Sequence, residues 1–278
     1  MDANTAALML LAGMLHAGWH AIVKSGNGLS TLAGMGVVSA LLTSRFLFYV
    51  PVPSPAVWPV IVLSLALHAG YKASLALAYE HGDLSKAYPL ARGMVPLCAL
   101  PLSYFALDQL PNRWQFLGII VVSAGVLALA WERSGNVKSG KLILSALGAS
   151  FMVAGYSVVD SYGTRLTEWS SFTVWLIVLD SLTFLVVGRI LRGSTLWLQI
   201  REAWKPTAIA GALGLCSFAV FIWALSRNPV TSVVAFRECS VIFATIIGVA
   251  ILKEKISALR VLAVSSVGVG LILIATFR

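Results

Sequence analysis

Residues 230–252 read VTSVVAFRECSVIFATIIGVAIL, twenty-three residues whose only charges are the adjacent pair Arg237 and Glu238. A bilayer's hydrocarbon core is roughly 30 Å thick and a helix rises about 1.5 Å per residue, so about 20 apolar residues cross it. The stretch therefore reads as a spanning helix. A charge held in mid-membrane costs at least ~2.5 kcal/mol, which marks Arg237 and Glu238 as functional candidates by default. Working outward, turn signals such as Pro51-Val52-Pro53-Ser54-Pro55, Leu110-Pro111-Asn112 and Arg227-Asn228-Pro229 separate apolar runs of similar length. Ten candidate spans result: 5–24, 30–50, 56–79, 85–106, 113–131, 140–162, 170–191, 205–225, 230–252 and 258–277.

Composition agrees. The chain is 59% apolar and 11% charged with a mean hydropathy of +0.89. A soluble domain needs about a quarter of its residues charged to wet its surface. The net charge of +9 does not read as nucleic-acid binding, because Lys and Arg sit mostly at the ends of apolar runs, where headgroups lie. The partners expected are lipid and a small-molecule solute, with no nucleic acid, for a monomer or homodimer. Cys98, Cys216 and Cys239 stand singly inside apolar runs, without metal or redox spacing. The opening Met1-Asp2 lacks a basic n-region, so the first apolar run is expected to be retained as a span.

The most polar stretch, WERSGNVKSGK at 131–141, falls near the middle. It suggests residues 134–139 as a linker between a first five-helix repeat, 1–133, and a second, 140–278. Sliding the chain by 145 superposes Arg92 on Arg237, Gln109 on Glu254 and Gly125 on Gly270. A shift of 137 sets Gly18-Trp19 on Gly155-Tyr156 and Gly26 on Gly163. Because five is odd, the second copy enters from the opposite face. The expectation is an all-α membrane protein of ten transmembrane helices in two inverted five-helix repeats, an architecture whose solute sites lie between the repeats near mid-membrane. Loops after odd-numbered spans hold twelve basic residues, Arg189, Arg192, Arg201 and Lys205 among them, against five on the other face, Arg45 among them. The positive-inside rule then places both termini outside.

Candidate site residues are polar groups sharing a helix face inside apolar runs. In the first span His16, His20 and Lys24 recur every four residues, with Trp19 beside them, which draws a polar stripe. His68, Tyr71, Lys72 and Tyr79 do the same in the third. Tyr88 and Arg92 lie one turn apart in the fourth, followed by Pro96 and Pro101, which free backbone carbonyls and favour a kink. Arg92 and Arg237 occupy matching repeat positions, and two guanidiniums suit a carboxylate, phosphate or phosphonate. Tyr156 and Glu238 complete the solute-binding set. Asp160 and Asp180 are candidates for proton or ion coupling, since a membrane carboxylate can take up and release a proton. Each group also has a structural reading, as an ion pair, a capped carbonyl or a snorkelling cation. No HExxH, G-x-S-x-G or Walker loop occurs, so no catalytic residue, metal or cofactor is assigned and an enzyme is not expected. An intramembrane lipid-modifying enzyme or a lipid flippase is the alternative.

The opening His16-Ala17-Gly18-Trp19-His20-Ala21-Ile22-Val23-Lys24 resembles the H-A-x-W-N-x-x-x-K start of the EamA branch of the drug/metabolite transporter superfamily, with His20 in place of Asn. Asn228-Pro229 through Leu252-Lys253-Glu254-Lys255 and a glycine-containing last helix are similar to that family's P…LGE…G…G ending. Lys253 stands in place of Gly, and the first half has Asp108-Gln109 for Gly-Glu. The resemblance covers essentially the whole chain. It implies a secondary transporter of a bacterial cytoplasmic (inner) membrane, working by alternating access and driven by an ion gradient or exchange. Branches with this start are similar to carriers associated with phosphonate use. The embedded cations then suit an anionic or zwitterionic metabolite, amino-acid-like or phosphonate-like.

Overall fold

The structure is a computed structural model and describes residues 1–25, 28–81, 84–132, 140–193, 195–250 and 256–277. The linker at 134–139 and the Lys253-Glu254-Lys255 turn, with its match to Gln109, lie outside the described residues. Among those described there is no strand. The helices are α1 (Ala3–Ser25), α2 (Gly28–Ser44), α3 (Trp58–His81), α4 (Leu84–Gly93), α5 (Val95–Leu107), α6 (Arg113–Glu132), α7 (Gly140–Leu166), α8 (Trp169–Arg192), α9 (Thr195–Glu202), α10 (Trp204–Leu225), α11 (Val230–Arg237), α12 (Ser240–Ala250) and α13 (Ala258–Thr276). A 3-10 turn, Arg45–Phe48, follows α2.

Helix starts follow from local chemistry. Asn112 Oδ1 accepts from the N–H groups of Trp114 and Gln115, while Gln115 Oε1 accepts from Asn112 N–H, a reciprocal cap at the start of α6. Ser257 Oγ accepts from Arg260 N–H and starts α13. Asp108 ends α5 in the left-handed conformation, φ 53°. The neighbouring Gln109 side chain reaches across the chain and accepts from Val230 N–H, capping α11. A first-half turn thus fixes the start of the helix that carries Arg237.

Among the described residues eight segments are long and apolar enough to cross a bilayer, including Pro89–Leu107, which joins the end of α4 to α5, and Val230–Ala250, which covers α11 and α12. Helix α3, 24 residues long with His68 and Lys72 inside it, is also predominantly apolar. Helices pack in pairs: α6 against α13, α3 against α7, α1 against α10 and α2 against α8. The α6–α13 pair is antiparallel and glycine-lined. A Cβ added to Gly270 would lie 2.7 Å from the Gly118 carbonyl oxygen, and one added to Gly125 2.7 Å from that of Ala263. Small residues there let the two backbones touch, the usual basis of helix association in lipid.

Three features depart from the sequence reading. The single spans expected at 85–106 and 230–252 are each broken, at Met94 and at Glu238-Cys239. Residues 195–202, expected as loop, form the short helix α9. Helix α7 runs to Leu166 instead of 162, so Asp160 is not at a helix end and is fully buried.

Candidate functional site

Both breaks fall beside an arginine. Pro96 has no N–H to offer the carbonyl of Arg92, four residues back, and its ring would collide with that carbonyl, so α4 stops at Gly93 and α5 starts afresh. In the second half no proline intervenes. There the N–H groups of Glu238, Cys239, Val241 and Ile242 bond three residues back instead of four, which tightens the chain into a 3-10 step between α11 and α12. Helix α1 crosses this step closely, because a Cβ at Gly13 would overlap the Cys239 sulfur. Helix α7 crosses the other break, where Ser150 Oγ donates to the Ala91 carbonyl at 2.6 Å.

The breaks bring Arg92 and Glu238 together. Arg92 Nη2 lies 2.8 Å from Glu238 Oε1, with both side chains buried. Adjacent helix positions point about 100° apart, and Glu238 faces α4 while its neighbour Arg237 turns to α10. There the Arg237 guanidinium carbon sits 4.2 Å over the Phe221 ring. Arg237 Nε and Nη1 are buried and have no hydrogen-bond partner among the described residues. A cation over an aromatic face is attracted to it, but the ring accepts no strong in-plane hydrogen bond.

The stripe on α1 closes the site. His16 and His20 lie within electrostatic reach of both Arg92 and Arg237. Trp19 Nε1–H donates to His16 Nδ1 at 3.2 Å, and His16 Nε2 meets His20 Nε2 at 3.2 Å. In the neutral ring pair this fixes the tautomers. His16 Nδ1 accepts, so its proton is on Nε2 and is donated to His20 Nε2. His20 must then carry its own proton on Nδ1, as a donor. Trp19 stacks on His20 with centroids 3.6 Å apart. Among the described residues one centre therefore gathers two guanidiniums, one carboxylate and two imidazoles from α1, α4, the end of α11 and the break that follows it.

The residues on α3 go elsewhere. His68 stacks on Tyr156 with centroids 3.9 Å apart, its Nε2 is 3.5 Å from Asp160 Oδ2, and Ser64 Oγ donates to Asp160 Oδ1. Asp160 Oδ2 has no hydrogen-bond partner among the described residues. Tyr71 meets Tyr156 edge-on. Lys72 Nζ pairs with Asp180 Oδ1 at 2.7 Å, and both side chains are about a quarter exposed. The stripe His68–Lys72 is thus shared between partners on α7 and α8. Asp160 pairs with His68 and Ser64, while Glu238 pairs with Arg92. The side chains of Lys24, Tyr79 and Tyr88 lie outside the described residues.

Ser64, Ser150 and Phe221 were not singled out in the sequence. Serines and phenylalanines are common in membrane helices, and only a tertiary partner sets these apart. Among the described residues no His/Cys/Asp/Glu cluster could hold a metal.

Residues 140–276 match the sequence profile of the EamA-like transporter family. An uncharacterized transporter of Bacillus subtilis (strain 168), YwfM, is 22% identical over 225 residues, covering 78% of this chain and 73% of its own. A protein crystal structure superposes over the whole of both chains with a TM-score of 0.76 at 17% identity, which extends the likeness in fold to the first half. Through residues 140–276 the chain belongs to the EamA-like transporter family, and it is an integral membrane transporter.

Proposed function

We propose that the chain is a secondary transporter of a small anionic or zwitterionic metabolite, amino-acid-like or phosphonate-like, held between Arg92, Arg237 and the α1 histidines. The observation that carries this is Arg237. Its buried Nε and Nη1 lack hydrogen-bond acceptors, and the one carboxylate in the centre is 2.8 Å from Arg92. Among the described residues two guanidiniums stand against one carboxylate, an excess of positive charge in low dielectric that a solute anion would neutralise.

Alternating access between inverted repeats is the proposed mechanism, and the internal offsets support it. Exchanging halves by 145 turns the Gly118–Gly270 contact into the Ala263–Gly125 contact. The shift of 137 carries Gly13 to Ser150, and each touches the broken span of the other half. Gly18 meets Leu213 as Gly155 meets Leu67, with the added Cβ 3.4 Å away in both. The chain would then comprise ten spans in two inverted repeats, 1–133 and 140–278, with 134–139 as linker. Asp160, buried beside His68, is the proposed coupling group. Asp180 is already neutralised by Lys72. A bacterial cytoplasmic membrane is the proposed location.

The reading is tested on purified protein in detergent with glutamate, phosphate and methylphosphonate against choline and lysine. A ligand that binds only the native fold raises the apparent Tm in a concentration-dependent way. Anionic or zwitterionic solutes are expected to stabilise wild type and to lose that effect in Arg237→Gln. Stabilisation by the cations alone, or full retention of the anion effect in Arg237→Gln, would overturn it.

A further inference from the structure

We propose that the corner joining α8 to α10, built around α9, is a binding surface for anionic phospholipid headgroups. Gly193 ends α8 with φ 59°, a left-handed turn that redirects the chain into α9. Helix α9 then presents two faces. Leu196 is fully buried, and Ile200, one turn on, packs toward Gly34 of α2. Trp197, Leu198, Arg201 and Glu202 point outward, and Trp204 and Lys205 continue the surface into α10. Trp197, Leu198 and Trp204 are each more than half exposed. Lys205 Nζ sits 5.7 Å over the Trp204 ring. Exposed Arg189, at the end of α8, brings the exposed cations among the described residues of this corner to three, against the carboxylate of Glu202.

A water-facing corner would not expose two indoles and a leucine. Continuity settles the class of occupant, since Ile209, one turn beyond Lys205 on α10, is exposed on the same apolar span. Indoles at the headgroup level and cations beside them fit a lipid interface. Charge selects among lipids. Each basic residue near an anionic leaflet adds to the attraction. The 3-10 turn between α2 and α3 is a control within the same molecule. It exposes Phe46, Phe48 and Tyr49 but has Arg45 as its one cation. Aromatic anchoring occurs at both corners; the excess of positive charge is particular to α9.

The test uses the full chain in nonionic detergent, titrated with phosphatidylglycerol or phosphatidylcholine micelles. Phosphatidylglycerol is expected to raise the apparent Tm by several degrees more than phosphatidylcholine. The combined variant Arg189→Gln/Arg201→Gln/Lys205→Gln should lose that difference while keeping its Tm in phosphatidylcholine, and Arg45→Gln should keep it. Equal responses of wild type to the two lipids, or an undiminished difference in the triple variant, would overturn the proposal. Should the triple variant not fold, brominated lipids decide. The fluorescence lost on Trp197→Phe/Trp204→Phe substitution must be quenched more by brominated phosphatidylglycerol than by the brominated phosphatidylcholine, and equal quenching sinks the idea. Neither readout depends on the transported solute.

Discussion

Glu238 lies 2.8 Å from Arg92, although its chain neighbour is the other arginine of the centre. A carboxylate contributed by the second half thus occupies the guanidinium of the first. Under the proposed function it stands where a solute carboxylate or phosphonate would bind, and the protein's own acid would then compete with the solute for Arg92.

Replacing that acid gives the sharpest prediction. Glu238→Gln should raise the affinity for an anionic solute by about tenfold, the equivalent of ~1.4 kcal/mol. The ligand-free protein should become less stable, because buried Arg92 then loses the carboxylate 2.8 Å from it. Thermal melts with and without the stabilising solute read both effects. A variant with unchanged ligand-free Tm and weaker solute binding would mean that Glu238 coordinates the solute instead of competing with it.

Arg92→Gln and Arg237→Gln should differ, though they match in the repeat. Removing Arg92 leaves Glu238 buried without its partner, a loss of about 3–5 kcal/mol for a buried pair, so the folded yield itself should fall. Removing Arg237 forfeits its contact with Phe221, which is worth roughly 0.5–2 kcal/mol. Its Tm should move little while solute stabilisation is lost. Equal Tm losses in the two variants would contradict this division.

Much of this arrangement was legible in the sequence, and the part that was not has a physical reason. Length, apolarity and turn residues define the membrane helices, since hydrocarbon thickness constrains them directly. The 145-residue offset picked out Arg92 and Arg237. The break at Glu238-Cys239 left no trace, because an apolar run reads alike whether its carbonyls bond three or four residues on. Pro96 did mark the first break. Helix α9 was read as loop because eight amphipathic residues between longer apolar runs lack the length signal. Whether His68 meets Asp160 or an arginine is a matter of tertiary packing between α3 and α7, which no spacing within one helix specifies.

The contact of α6 with α13 should be intolerant of side chains. Gly270→Leu and Gly118→Leu each place a Cβ 2.7 Å from the partner's carbonyl oxygen, a rigid obstacle. Overpacking costs about 1–3 kcal/mol in soluble cores, and here the helices must separate. Both variants should melt several degrees below wild type. Gly268→Leu on the same helix α13, where nothing lies within 4 Å of an added Cβ, serves as the control. Equal melting of all three would show that this seam does not hold the halves together.

Asp160 and Asp180 provide the last contrast, because burial and pairing separate two carboxylates that look equivalent in sequence. Asp180 has a lysine at 2.7 Å and partial access to solvent, so its charge is balanced. Asp160 is fully buried, with one hydroxyl donor and an imidazole nitrogen 3.5 Å away. In that setting the pair is neutral only when it holds one proton, either on His68 beside a carboxylate or on Asp160 beside a neutral ring. Losing or gaining a proton leaves a net charge in low dielectric, which is the property a coupling site needs. Asp160→Asn should therefore abolish uptake driven by a pH gradient in proteoliposomes while leaving solute binding, read by thermal shift, within about threefold of wild type. Asp180→Asn should strand Lys72 and lower stability, yet the protein that remains folded should still respond to the gradient. If Asp160→Asn vesicles followed the pH gradient as wild type does, the coupling role assigned to this pair would have to be abandoned, whatever became of the arginine site.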